Sequence, residues 1–518
     1  MFGFKGKQED PAAATAARVD IVLYRTSSLC LRCTVTDRQG LVWRDAAVVD
    51  RGGRAIVLSI RCPTHGHHNV LYCSDPAFFR RQLAFKLPPS MPMTALRLSD
   101  TSKTADELVQ QSARHCRPAV VDLAVFGNEG FVDDDLLCAQ LAALVAQYPK
   151  GRGFVLRAQG RLAPDMARLN GKLKLLAGAL PWASSPMLVE ASFDRLLGLC
   201  ELEDSVFESP RVYPAVKYYL KQGDEDLCMG ELQQFFEQAL TFQRIQIVLT
   251  LNVQQPWPDL SRLLPFLLNR KGLVRAIFFT TERPFADVTA HLQPPPPPQQ
   301  QQQQQAQQQQ DSVDIYSLLK EIERVTNGGL SPDDFYPTAI ASAFEPFLAL
   351  FGAGLYDLKP AAGCGVATLL VNTDEYKAVP VGRLLHVDKI YEALLPLLSS
   401  LTSSISSISS SSNATSADVS VFTGIKLKRI FSSAWKPKGA QPDLLAFLTD
   451  KDKQGTAYDV ASDSQFIVVR QSMDFGCLGT YAAIERTTHM METADVKRCP
   501  QCVGMTISHK DVLPGLCL

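Results

Sequence analysis

The chain has 518 residues, 46% of them hydrophobic and 20% charged, which supports globular cores spread over two to four domains. Its formal net charge of −1 gives no bulk attraction to nucleic acid, so no nucleic-acid partner is expected. Thirteen cysteines, mostly scattered singly, read as reduced thiols of an intracellular protein rather than as a disulfide framework.

Residues 1–16 read as a disordered tail. They hold acids within the first ten positions and no apolar signal core, so a cytoplasmic location is expected. No uninterrupted apolar run reaches membrane-spanning length, and no transmembrane segment is expected. Residues 17–90 carry the sharpest motif. "SLCLRC" gives Cys30-x2-Cys33, and "RCPTHGHHN" gives Cys62-x2-His65. A two-residue spacer lets both side chains of a pair point into one tight turn, and two such pairs can wrap one tetrahedral ion. Between them lies a β-branched stretch broken by Arg51-Gly52-Gly53-Arg54, a hairpin signal. Pair, hairpin, pair is the layout of a zinc ribbon, with structural zinc as the expected metal. His67 and His68 read as neighbours of the site, either being an alternative to His65.

Residues 91–292 alternate strand-like and helix-like runs. Strands are predicted at Thr94–Asp100, Ala119–Gly127, Gly153–Gln159, Leu188–Asp194, Arg244–Asn252 and Val274–Glu282. Six such units predict an α/β fold, a partial (β/α)6 barrel with a parallel sheet. Ligands would sit at the carboxyl ends of its strands, near Asp100, Gly127-Asn128-Glu129, Gln159-Gly160, Asp194 and Asn252. Asp133-Asp134-Asp135 reads as a helix start, where acids complement the dipole.

Residues 293–312 are a Pro/Gln low-complexity linker, and residues 399–417 a Ser-rich one. Between them, residues 313–398 form an α/β extension of the barrel, in which "GCGV" reads as a turn before a strand. Residues 418–518 form a Cys-containing α+β region. "GIKLKRIFSSAWKPKG" gathers Lys426, Lys428, Arg429, Lys436 and Lys438 and reads as a solvated strand and turn, with peripheral membrane contact as the alternative. "RCPQC" suggests a second metal site from Cys499, Cys502 and Cys517, with Cys477, His489 or His509 as the fourth ligand; thiolates suit zinc or an iron–sulfur cluster alike. The eight histidines are scattered and support no Ser/His/Asp arrangement.

The ribbon motif Arg61-Cys62-Pro63-Thr64-His65-Gly66, the following "VLYCSD", the "VFGNEGFVDDDL" loop, "DDFYPTAI" and "VGRLLHVDKI" together resemble the radical S-adenosylmethionine (SAM) superfamily, in its tetraether-lipid-synthase branch. That resemblance implies a [4Fe–4S] cluster and SAM as cofactors, with Gly127, Asn128 and Glu129 standing where the family's SAM-binding loop lies. It also implies a Cys-x3-Cys-x2-Cys loop after the first barrel strand. Here only Cys116 occurs between Asp100 and Ala119, and it stands well past the strand. Three thiolates are what leaves one iron open to SAM. The expectation is therefore a divergent member unable to cleave SAM, acting as a metal-stabilised scaffold for an unidentified protein partner. An active enzyme modifying a lipid or another unactivated carbon through a rearranged cluster (from Cys73, Cys116 or Cys138) is the alternative. A zinc-binding interaction module unrelated to SAM is the second.

Overall fold

The structure is a computed structural model. It describes residues 19–30, 33, 43–85, 212–220, 222–239, 247–253, 257–270, 272–281, 314–341, 343–344, 365–371, 378–408, 416–436 and 464–471. Shorter pieces are described at 120–124, 126–127, 130–131, 134–135, 138–139, 142, 155–159, 187–192, 489–492 and 498–500.

The amino-terminal part is an antiparallel four-stranded meander of β1 (Ile21–Leu29), β2 (Trp43–Asp50), β3 (Ile56–Cys62) and β4 (Gly66–Cys73), in that spatial order. The predicted hairpin joins β2 to β3. Gly52 and Gly53 have φ of 57° and 77°, the paired left-handed conformation that a tight hairpin needs and that a Cβ would strain. Asp50 closes the turn by accepting from the Gly53 amide at 2.6 Å, and its other oxygen meets Arg80. Helix α1 (Pro76–Ala84) follows β4. Asp75 caps it by accepting from the Phe78 amide at 2.7 Å, and Pro76 opens it with a preset φ. The helix lays Phe78 and Phe79 inward, Phe79 edge-on to Tyr72 at 5.5 Å.

The second part is a long α/β sheet. Its parallel strands are β5 (Val120–Ala124), β8 (Val155–Gln159), β9 (Met187–Ser192), β10 (Val212–Leu220), β11 (Ile247–Val253) and β12 (Val274–Thr281), each beside its predecessor. Between β5 and β8, β6 (Phe126–Gly127) and β7 (Gly130–Phe131) make a separate two-stranded ladder. Helices α2 (Glu225–Ala239) and α3 (Leu260–Leu268) follow β10 and β11. The strand predicted at Thr94–Asp100 lies outside the described residues. Strand β10 is not among the predicted strands; it contains Pro214, which lacks a ladder donor.

Downstream come α4 (Ile315–Val325), β13 (Tyr336–Pro337), β14 (Gly365–Val371), β15 (Val379–Pro380) and α5 (Val381–Leu384). Then follow α6 (Val387–Ile408), α7 (Ser416–Ala434), β16 (Gln465–Gln471), β17 (His489–Glu492) and β18 (Arg498–Pro500). Residues 418–518 thus feed both ends of the main sheet. β16 lies parallel to β12 and antiparallel to β14, while β17 lies parallel to β5.

Two expectations are corrected. Helix α6 runs ten residues into the serine-rich stretch read as a linker; Leu401, Ile405 and Ile408 recur there at helical spacing. The basic stretch read as strand and turn is helix α7 for most of its length. Thr423, Leu427 and Ala434 are buried while Lys428 and Arg429 face outward, a period of 3.6 rather than 2. No described helix is long and apolar enough to cross a membrane.

One cluster of buried side chains unites both parts. Ile247, Leu249, Leu251 and Val253 of β11 pack with Leu232, Phe235 and Phe236 of α2 and Leu263, Leu264 and Leu267 of α3. Leu318, Leu319 and Ile322 of α4 join them, as do Val48, Leu58, Tyr72 and Phe78 from the amino-terminal part.

A second cluster lies where the "DDFYP" and "VGRLLHVD" segments meet. Arg383 grips Asp334 in two-pronged fashion, Nε to Oδ1 at 2.9 Å and Nη2 to Oδ2 at 2.7 Å. Ser331 satisfies the rest of that buried carboxylate through its amide at 2.8 Å and hydroxyl at 3.1 Å. The Tyr336 ring lies against Gly382, where an added Cβ would stand 2.8 Å from Cε2. Tyr336 cannot swing aside freely, since Phe85 meets it edge-on at 5.8 Å and Arg81 covers it at 5.6 Å. Gly382→Ala should therefore cost about 1–3 kcal/mol by overpacking. The urea midpoint measures it; an unchanged midpoint would show that the ring has room to move.

Candidate metal centre

The local chain path explains the site. Cys30 follows the last residue of β1, and Cys33 stands three positions on. Cys62 ends β3, and Pro63 presets the turn that brings His65 round. Gly66, with φ of 75°, starts β4 opposite Cys62. The backbone there is left-handed, so the glycine is required although a Cβ would meet no atom within 4 Å.

The ligand atoms of Cys30, Cys33, Cys62 and His65 all lie within 4.8 Å of one another. Cys33 Sγ is 3.6 Å from Cys62 Sγ. His65 Nδ1 is 3.7 Å from Cys30 Sγ, 3.4 Å from Cys33 Sγ and 3.6 Å from Cys62 Sγ. Zinc–sulfur bonds of about 2.3 Å and zinc–nitrogen bonds of about 2.0 Å in a tetrahedron put sulfurs about 3.8 Å apart and sulfur to nitrogen about 3.5 Å. The four donors therefore fit a metal such as zinc. The sulfur spacing is far beyond the length of a disulfide, and all three cysteines are free thiols. All three are buried, while His65 is half-buried.

The surroundings act on the thiols in opposite directions. Burial raises Cys62, but the His65 and Thr64 backbone amides, with Cys30 and His65, outweigh it and bring the thiol down to about 6. Burial pushes Cys30 up to about 12. A divalent ion held by three thiolates keeps one net negative charge. Arg44 answers it, with Nη2 donating to Cys33 Sγ at 3.6 Å. Burial would lower the Arg44 guanidinium, yet its bonds to Cys33 and Cys62 leave it raised. His67 is exposed and outside the group. His68 is half-buried, with Nε2 3.8 Å from Cys30 Sγ, and flanks the cluster.

Sequence reading missed Arg44. Arg44 had a signal: it shares the inward face of β2 with Ala46 and Val48, where alternation leads one to expect an apolar residue.

The other expected sites are less gathered. Among the described residues, the Cys30–Cys33–Cys62–His65 set is the one group of three or more His, Cys, Asp or Glu side chains that could hold a metal. Cys73 is buried and donates to the Asp75 carbonyl at 3.3 Å; burial and the Asp314 carboxylate raise its thiol. Cys138 is exposed. Cys116, Cys477, Cys502 and Cys517 lie outside the described residues. For Cys499 the backbone alone is described, in β18 opposite Met491. Gly127 pairs with Gly130, whereas Asn128 and Glu129 lie outside the described residues, as do Asp100, Gly160 and Asp194. Asn252 sits near the carboxyl end of β11 and is 2% exposed.

No protein-family model matches the chain, and no curated protein matches it. Among solved structures, it is similar to a mandelate racemase/muconate lactonizing protein from Paracoccus denitrificans PD1222 complexed with magnesium. The identity is 11% over 60% of this chain and 78% of that one, with a TM-score of 0.25. It is also similar to a racemase from Streptomyces coelicolor A3(2) with bound magnesium, at 10% identity over 52% of this chain and 84% of that one, with a TM-score of 0.18. Likenesses this slight carry no argument about fold or chemistry.

Proposed function

We propose that the protein is a metal-stabilised scaffold or partner subunit: a divergent radical-SAM-like chain whose Cys30–Cys33–Cys62–His65 centre holds structural zinc and which does not cleave SAM. The observation that carries this reading is the closed donor set. Four protein ligands at tetrahedral spacing leave no position for substrate, the mark of a structural rather than a catalytic zinc site. The meander around it is read as a zinc-ribbon-like module. The parallel strands, running in sequence order from β8 to β12, are read as part of a (β/α) barrel, the scaffold that the resemblance implies. The lack of a Cys-x3-Cys-x2-Cys loop after Asp100 in the sequence supports loss of cluster chemistry.

Metal analysis of the full chain purified without oxygen tests the reading. About one zinc per chain and no iron is the expected result for a single four-ligand site. A reconstituted iron–sulfur signal in electron paramagnetic resonance that shifts with SAM and yields 5′-deoxyadenosine would replace the scaffold with an enzyme.

A further inference from the structure

We propose that Arg44 is the positioning residue that keeps the metal centre chemically silent: its guanidinium, donating to the Cys33 sulfur, holds that zinc-bound thiolate back from attack on electrophiles. The inference rests on the zinc reading above and adds a role for a residue that is not a ligand.

Three thiolates around a divalent ion leave one negative charge spread over the sulfurs, and the thiolate is the nucleophilic form of cysteine. A centre of that charge is reactive unless something answers it. The fold sets one cation there. Arg44 lies on β2 in register with Ser28 of β1, just before the chain reaches Cys30. It shares the inward face of β2 with the buried Ala46 and Val48, and is itself half-buried. Its Nη2 donates to Cys33 Sγ at 3.6 Å, while its Nε is buried and has no hydrogen-bond partner. Ser28, the residue facing it across the ladder, is wholly buried and carries no charge. Asp45, its neighbour in sequence, is exposed on the opposite face. Among the described residues no carboxylate pairs with this guanidinium.

A half-buried cation without a counter-charge is costly, and an apolar residue would fill this place in the row without that cost. The sulfurs are the counter-charge at hand. A hydrogen bond from a guanidinium to an ionised acceptor is about twice as strong as one between neutral groups. It lowers the energy of the sulfur lone pairs, so the thiolate attacks less readily, and such outer partners also fix the orientation of a ligand. The effect is one-sided. Cys30 has the His68 imidazole beside it, Nε2 to Sγ at 3.8 Å, in place of the guanidinium.

Alkylation of the full zinc-loaded chain with N-ethylmaleimide tests this, zinc release being followed with a colorimetric indicator. The attacking sulfur adds across the maleimide double bond, water supplies the proton, and the alkylated sulfur leaves the metal. Arg44→Gln should release zinc at least about tenfold faster, with Arg44→Lys in between because it keeps the charge but not the fork. In the unaltered chain, substoichiometric reagent should label Cys30 ahead of Cys33, and Arg44→Gln should bring Cys33 forward. With cobalt(II) in place of zinc, the thiolate-to-metal charge-transfer band of Arg44→Gln should move to longer wavelength, a shift that loosened packing alone does not produce. Arg44→Met, which keeps an apolar stem, replaces Arg44→Gln should that variant fail to fold. Unchanged release rates and band position in the charge-free variants, or Cys33 labelled ahead of Cys30 in the unaltered chain, overturn this proposal and leave the zinc reading standing. An unaltered chain that holds no zinc overturns both.

Discussion

Replacing Cys62 with serine should reduce zinc from about one per chain to near zero and unfold the four-stranded meander. Cys62 is the ligand that ends β3, and its sulfur lies 3.6 Å from both Cys33 Sγ and His65 Nδ1. Serine keeps the volume but offers no thiolate at neutral pH. In small zinc peptides the metal contributes apparent folding free energy on the order of 10 kcal/mol. Here the loss is smaller, because Val48, Leu58 and Tyr72 also hold the meander to the shared core. The expected outcome is a large drop in thermal midpoint and lost amide-exchange protection in β1–β4, with β11 and β12 still protected. A chelator should reproduce it. Acid should too, since protonating the thiolates and His65 expels the ion. Cys138→Ser, at an exposed cysteine, should change neither reading. Full zinc retention in Cys62→Ser would remove that cysteine from the ligand set.

The second large effect is expected at Asp314, which joins the amino-terminal part to the α/β body. It is wholly buried and does two jobs. One oxygen caps α4, accepting from the Ser317 amide at 2.8 Å and from the Ser317 hydroxyl. The other accepts from the Ser74 backbone amide, 240 positions earlier. Ser74 stands between β4 and α1, so this bond holds the exit of the meander against the start of α4. Asp314→Ala loses the cap, about 1 kcal/mol, and leaves the Ser74 amide without its partner, a further 1–3 kcal/mol or so. Together these predict a loss of about 2–4 kcal/mol in urea unfolding. The Ser74 amide should exchange faster before global unfolding. Asp314→Asn keeps one acceptor oxygen and should recover part of the loss. Unaltered Ser74 exchange in Asp314→Ala would show that the contact contributes nothing.

Local signals explain what could be read early. The Cys30–Cys33 and Cys62–His65 pairs each have a two-residue spacer in the sequence, and a hairpin signal lies between the pairs. Gly52 and Gly53 announce that hairpin by the conformation that only glycine takes easily. Strand β11 is legible for a similar reason: Ile247, Val248, Leu249 and Leu251 make a short apolar run rich in β-branched residues. Helix α7 was misread because its lysines mask a buried stripe that repeats every three to four residues. Strand β10 is less legible, since Pro214 stands within it and proline is uncommon in a central strand.

The sequence by itself marked the four residues that could hold a metal, the hairpin between them and the parallel character of much of the main sheet, because each rests on contacts between near neighbours or on simple periodicity. Only the tertiary structure decided that β16, drawn from residues 418–518, lies between β12 and β14. It alone brought Ser74 to Asp314 and set Asn252 in one row with Thr280 and Arg470. Those pairings join segments tens to hundreds of residues apart, and the free energy that selects them comes from burying a shared apolar core, which leaves no mark in any one stretch of chain.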